Sequence, residues 1–318
     1  MHWSKSADVR TLARLTAGFI MTGLLPRRLD RGLIPRLLGS PFLIRASLID
    51  DVAGRMRFVL GDALPDAAAR DHARAWCEMV FETRWLRWRA LHRAAPPVET
   101  SVDGLPTLHA AHEGGRGVIL WGMEFCDTLV VKIALHRAGV RLVHLSSANH
   151  GLNAPPTKLG LRFVSPMHCA AENRFLDERV VMPADGSLGY MRVLVQRLEE
   201  NRCVYISGER LAARQNIPAP LLGREAQFAP GASGLAWKLK SALLPVHVVR
   251  DAPLRYRAFI DVPVTPDPAL GKSAFIESAV REFAERLGRR VTEHPPGWQW
   301  HGRSMETWRA AAARTAAA

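Results

Sequence analysis

From Ser6 to about Arg93, apolar residues recur every three or four positions, the spacing that lines one face of an α-helix, with breaks at Pro26, Pro35, Pro41 and Pro65. No strand-like alternation interrupts this half, and its last helix is expected from Pro65 to Arg93. The Pro96-Pro97 step reads as a hinge, and beyond it the pattern changes. Runs at 117–121, 141–145, 203–207, 243–250 and 255–262 read as strands, and 125–138, 191–200, 231–240 and 273–290 as helices. Strands this apolar are buried on both faces. Their alternation with helices predicts an α/β fold: a largely parallel mixed sheet covered by helices, preceded by an N-terminal helical region. The expected divisions are a helical, membrane-associating region at 1–95, an α/β domain at 96–309 and an alanine-rich tail at 310–318.

Charge changes this picture in one respect. The 318 residues carry a formal net charge of +13, and six of the 43 basic residues are lysine, so the excess is arginine. Guanidinium groups favour phosphate and carboxylate partners. Residues 1–45 hold Lys5, Arg10, Arg14, Arg27, Arg28, Arg31, Arg36 and Arg45 against Asp8 and Asp30, in an otherwise apolar stretch. Basic and apolar together point to a membrane surface, and no zinc spacing or RNA-binding aromatic signature points to nucleic acid. The apolar run Leu12–Leu25 contains Arg14 and is too short to span a bilayer, so it reads as an interfacial or buried helix. It has no small-residue cleavage site after it. In the segment 84–89, Trp85 and Trp88 share a helical face flanked by arginines, which suits a headgroup layer and equally suits a core stripe with a basic flank. Cys77, Cys126, Cys169 and Cys203 form no C-x-x-C pair, so neither a disulfide framework nor a metal site is indicated, and a reducing compartment fits.

Six landmarks then occur in a fixed order: Arg57-Phe-Val-Leu-Gly61 ahead of a long helix; the strand Gly115-Arg-Gly-Val-Ile-Leu120; Leu198-Glu-Glu-Asn-Arg-Cys-Val-Tyr-Ile-Ser-Gly-Glu209; Pro220–Ala236; Leu244-Pro-Val-His-Val-Val-Arg250; and Pro295–Arg303, with its Trp-x-Trp. In this order the chain resembles the lipid A late acyltransferases, a branch of the lysophospholipid acyltransferase superfamily. The resemblance implies transfer of a fatty acyl chain from an acyl carrier protein or coenzyme A thioester to a hydroxyl or amine of a lipid, saccharide or other acceptor. It implies no cofactor, a membrane-lipid partner, and a place on the cytoplasmic face of a bacterial inner membrane. An apolar channel for the acyl tail is expected to lead to the residues after Trp121.

The family's motif is His-x-x-x-x-Asp/Glu, usually within Gly-His-Phe-Gly-Asn-Trp-Glu. Here that stretch reads Met123-Glu-Phe-Cys-Asp-Thr-Leu129. With Phe125 in register, Glu124 takes the histidine position and Leu129 the acid position. Glu124 is then the candidate base, if an apolar pocket of Trp121, Met123 and Phe125 raises its proton affinity. Cys126 is either a nucleophile forming an acyl-thioester or an inert core thiol. Asp127 is either a neighbouring base or a helix cap. Arg162, Arg174 and Arg179 lie where the family keeps a basic residue for substrate phosphate or carboxylate, and Arg179 ranks first because Val-Val-Met follows it. Glu209 stands at the family's Asp position at a strand end, with Arg210 beside it, as substrate contacts or as a structural ion pair. Gly231 resembles a family glycine that permits close approach or simply turns the chain. Lys238 and Lys240 suit an anionic headgroup, a carrier protein, or plain solvent. Elsewhere the motif's spacing recurs at His301 and Glu306, which chance accounts for. Losing both dyad residues leaves a second reading open, a family member that binds a lipid or acyl chain, or assists a partner enzyme, without transferring.

Overall fold

The computed structural model describes residues 6–38, 44–92, 96–152, 157–183, 187–209, 215–267, 269–300 and 308. Four helices open the chain: α1 (Ser6–Leu24), α2 (Asp30–Leu38), α3 (Ala46–Leu60) and α4 (Asp66–Leu91). The remaining elements are β1 (Glu99–Asp103), α5 (Leu105–Glu113), β2 (Val118–Gly122), α6 (Thr128–Arg137), β3 (Leu142–Ser147), α7 (Ser165–Asn173), β4 (Glu178–Met182) and α8 (Gly189–Glu199). They are followed by β5 (Cys203–Ser207), β6 (Ile217–Leu221), β7 (Arg224–Phe228), α9 (Gly231–Leu239), β8 (Ala242–Ala252), β9 (Arg255–Ile260) and α10 (Lys272–Glu293).

Seven strands form one sheet in the order β1-β9-β8-β2-β5-β3-β4, and β6 and β7 form a separate hairpin. Every neighbouring pair of the large sheet is parallel except β8 with β9. The expected α/β architecture is therefore the observed one. Central β2 is buried at all five positions, and its partners β5 and β8 are nearly so, which is why they stood out as apolar runs. Strands β1 and β4 lie at the edges with alternating or partial burial, and α5 and α7 are short, so their patterns were too weak to predict.

Long helix α4 binds the N-terminal helices to the sheet through charges placed in its interior. Arg89 donates to both carboxylate oxygens of Asp30 (2.8 and 2.6 Å), Trp85 Nε1 donates to the same carboxylate (3.1 Å), and all three side chains are buried. Glu82 accepts from Arg250 of β8 at 2.8 Å and from the Leu254 amide. This corrects the headgroup reading of the 84–89 segment: Trp85 is wholly enclosed, Trp88 packs on Gly18 of α1, and Arg87 and Arg89 are buried ion-pair partners. Exposed large apolar residues include Val9, Phe19, Ile20, Met21 and Leu24 of α1 and Leu29 just after it, with others at Leu48, Phe163, Val181, Leu188 and Val262. Among the described residues no helix is long and apolar enough to cross a membrane. His301, Glu306 and the alanine-rich tail lie outside the described residues.

Candidate active site

Strands β2 and β5 run parallel with Gly122 opposite Ser207, so the segments leaving their carboxyl ends emerge side by side. Gly122 has no substitute here: a Cβ would fall 2.1 Å from the Tyr205 hydroxyl oxygen. Two carboxylates meet at this edge. The Glu124 amide donates to Glu209 Oε1 at 2.5 Å, and Ser207 Oγ donates to Glu124 Oε1 at 3.1 Å. Trp298 Nε1 donates to the other Glu209 oxygen at 2.8 Å. Burial, and then the negative charge of Glu124, push the Glu209 carboxyl up to about 8, so Glu209 retains its proton at neutral pH.

The C-terminal segment holds this edge in place. Gln299 N donates to Glu124 O (3.1 Å), Gln299 Nε2 to Cys126 O (3.2 Å), and Cys126 N to Gly297 O (2.6 Å). Trp76 of α4 donates to Trp298 O at 2.9 Å, and Trp298 stacks edge-on against Trp300. Ser207, Trp298 and Gln299 were not singled out from sequence as site residues. The Trp-x-Trp landmark was visible, but nothing in its spacing says that its first indole reaches a carboxylate 89 residues earlier.

Glu124 and Glu209 thus lie side by side where β2 and β5 end, the placement that strand ends predict. Other expectations need correction. Cys126 is not a nucleophile: its thiol is buried, donates to Val248 O at 3.3 Å, and burial pushes its proton affinity far up. It sits at φ 52°, in the left-handed region that a side chain adopts only at some cost, and the motif's glycine falls on this position. Cys126→Ala should leave acyl transfer within about twofold of the parent, and the Cys126 thiol should resist alkylation until the chain unfolds; rapid native-state labelling at this residue would contradict that. Asp127 is not a neighbouring base. It caps α6, accepting from the Leu129 amide at 2.9 Å, and forms an ion pair with Arg87 at 2.6 Å. Leu129 is fully buried. Phe125 is a core wedge, 5.7 Å edge-on from His247 and packed where a Gly297 Cβ would be, so it offers no face to substrate.

Arg179 is neither a substrate contact nor a solvated residue. It donates to Glu172 (2.9 Å), Ser146 Oγ (2.9 Å) and Asn173 (2.6 Å) inside a buried network. Lys132 Nζ lies 2.5 Å, and His150 Nε2 2.9 Å, from the same Glu172 carboxylate. Burial alone would raise the Glu172 carboxyl, but Lys132 and the His150 hydrogen bond outweigh it and hold the group well below its ordinary range. Ligand atoms of His144, His150 and Glu172 lie within 4.8 Å of one another. Lys132 and Arg179 already occupy that carboxylate and oppose a further cation, so the set reads as a charge-satisfied core.

Arg210 lies outside the described residues, so the Glu209–Arg210 pair is not placed. Arg162 is exposed near Phe163, and Arg174 is tied to Ala90 O at 2.9 Å. Gly231 opens α9, but a Cβ there would meet nothing within 4 Å, which removes the close-packing reading. It lines a groove of about 740 Å³ between α8, α9 and the start of α10, together with Met191, Leu235, Trp237, Lys238 and Ile276. Neither Glu124 nor Glu209 lines this groove, so the expected channel to the residues after Trp121 is not what it forms.

Glu209 also marks the site electrostatically. A carboxyl that holds its proton more tightly when folded makes the folded state richer in protons between its ordinary 4.5 and about 8, so stability falls as pH rises through that window. Glu209→Gln should remove this slope, which for one proton reaches about 1.4 kcal/mol per pH unit. Denaturant unfolding at about pH 5.5 and about pH 7.5 reads it, and an unchanged slope would place the proton elsewhere.

A family model described as bacterial lipid A biosynthesis acyltransferase matches residues 62–306. Phosphatidylinositol mannoside acyltransferases from two Mycobacterium tuberculosis strains, CDC 1551 / Oshkosh and ATCC 25618 / H37Rv, are each 27% identical over 286 residues, 86% of this chain and 81% of the relative. The crystal structure of the 1-acyl-sn-glycerophosphate acyltransferase PlsC from Thermotoga maritima aligns with 86% of this chain and 100% of its own, at 14% identity and a TM-score of 0.36.

Proposed function

The chain belongs to the bacterial lipid A biosynthesis acyltransferase family, and from that premise we propose that it moves an acyl chain from an acyl carrier protein or coenzyme A thioester to an acceptor hydroxyl or amine, with Glu124 as the base. The observation that carries this reading is the carboxylate pair at the ends of β2 and β5. Two carboxylates close enough to repel do not both ionise without cost. Burial and the charge of Glu124 keep the proton on Glu209, against the Trp298 hydrogen bond that favours its charged form, which leaves Glu124 as the acceptor, oriented by Ser207.

In the reaction the acceptor hydroxyl gives its proton to Glu124 as its oxygen attacks the thioester carbonyl carbon. The carbon–sulfur bond of the resulting adduct then breaks, and the leaving thiolate takes the proton back from Glu124, so the enzyme ends in its starting state. A carboxylate replaces the family's imidazole in this cycle. Leu129 orients nothing, and the positioning falls to Ser207, and through Glu209 to Trp298.

The acceptor is proposed to be a membrane lipid or saccharide presented at the cytoplasmic face of the inner membrane. The basic residues of the opening segment and the exposed Phe19, Ile20 and Leu24 of α1 support this placement. No cofactor enters the chemistry as proposed. The test is mass spectrometry of lipid and metabolite extracts from a deletion strain rescued with the parent chain or with Glu124→Gln. An acylated species restored only by the parent is the expected result, and restoration by both would exclude Glu124 from the reaction.

A further inference from the structure

Where α1 crosses α4, a second cavity of about 190 Å³ is lined by Thr11, Arg14, Arg84, Arg87, Trp88 and His168, with Leu15 and Gly151 completing it. Its character is cationic and its charges are out of balance. Arg87 pairs with Asp127. Arg14 and Arg84 have no carboxylate partner among the described residues, and both remain open to solvent. Desolvation, followed by the positive charges of Arg14 and Arg87, pushes the Arg84 guanidinium below its ordinary value. Three guanidinium groups therefore line the cavity, where Arg87–Asp127 is the one ion pair among the described residues and Glu172 acts on Arg87 without pairing with it.

Two polar atoms of the lining are buried with no hydrogen-bond partner: Arg87 Nε and His168 Nε2. Unpaired buried donors are costly and rare. Burial, followed by the charge of Arg87, pushes the His168 ring down to about 3, so it is neutral at neutral pH and able to present Nε2–H. The wall behind that ring is close-fitting. Gly151 lies at φ 75°, and a Cβ on it would fall 2.5 Å from the His168 ring.

We propose that this cavity binds a phosphoryl group, through Arg14, Arg84, Arg87 and His168, which seats a phosphate-bearing substrate of the acyl transfer. The identification rests on the transferase reading above for its role, and on the cavity alone for its ligand. A phosphoryl group brings two or more acceptor oxygens and negative charge to a site that presents unpaired forked donors and a net positive field. Two carriers offer this chemistry, an anionic glycerophospholipid and the coenzyme A donor. Trp88 at the cavity and the exposed apolar residues farther along α1 favour the lipid.

The test is calorimetric titration of the whole protein with inorganic phosphate, dihexanoyl phosphatidylglycerol and coenzyme A, at low and at raised ionic strength. Phosphate should bind and should raise the unfolding midpoint, and added salt should weaken the binding. The Arg14→Gln/Arg84→Gln variant should bind at least about tenfold more weakly. Its own unfolding midpoint should hold or rise, because these two guanidinium groups repel each other and Arg87, which separates lost binding from lost folding. The carrier that displaces phosphate, and loses affinity in the same variant, identifies the source. Phosphate affinity indifferent to both substitutions, or displaced by neither carrier, would overturn the assignment. Glu124→Gln should bind phosphate as the parent does, so the pocket is read whether or not Glu124 proves to be the base.

Discussion

Replacing Glu124 by glutamine is expected to lower acyl transfer by about 10²–10⁴-fold, the range a positioned general base contributes, with the fold unchanged. Glutamine is isosteric and still accepts from Ser207, and the main-chain N–H that reaches Glu209 is untouched. What disappears is the one group at this edge placed to take the acceptor's proton. A second consequence follows from the coupling. The negative charge of Glu124 is, after burial, the cause of the raised Glu209 carboxyl, so in Glu124→Gln that carboxyl should fall from about 8 toward its ordinary value. A fall in kcat together with an altered pH dependence of stability would tie both effects to one pair. A loss of activity with the stability profile intact would mean that the two carboxylates do not interact. Parent-level turnover would favour the reading in which this chain binds an acyl chain or lipid without transferring it.

The second large effect concerns stability. Glu172→Gln should destabilise the protein by about 3–5 kcal/mol, the cost of stripping a buried ion pair of one partner. Lys132 is wholly enclosed, and Glu172 is its ion-pair partner; Arg179 loses its carboxylate in the same stroke. Lys132→Met should cost less, because Glu172 keeps Arg179 and the His150 hydrogen bond. The asymmetry is the informative part. Denaturant unfolding of both single variants and the double variant measures it, and equal costs would mean that Arg179 contributes nothing to neutralising the carboxylate. The pH dependence has the opposite sign to that of Glu209. The Glu172 carboxyl is depressed in the folded state, so its stabilisation is present above the ordinary 4.5 and is lost as pH falls from there toward the depressed value. That component should be missing in Glu172→Gln.

These three carboxylates show how far one-dimensional pattern reaches. Glu124 and Glu209 were identifiable as partners because each follows an apolar run, and parallel strands deliver their carboxyl ends to one edge. Glu172 carried no such mark. It lies on the short helix α7, and its meaning comes from Lys132 and Arg179, 40 residues before it and seven after. The same holds for α4. Its alternating tryptophans and arginines are compatible with a membrane surface or a core, and the difference lies in Asp30, Asp127 and Arg250, which arrive from other elements.

Composition and periodicity by themselves determined the helical opening half, the central parallel strands and the helices that cover them, because each of these is written in neighbouring residues whose burial enforces a period. Tertiary structure alone decided which charges are satisfied and which are not: that Trp298 holds Glu209, that Arg179 serves the core, that Cys126 is sealed, and that Arg14 and Arg84 face each other unpaired across α1 and α4. Electrostatic energy depends on distances between side chains far apart in the chain, and on the water excluded between them. Neither quantity exists until the elements have packed.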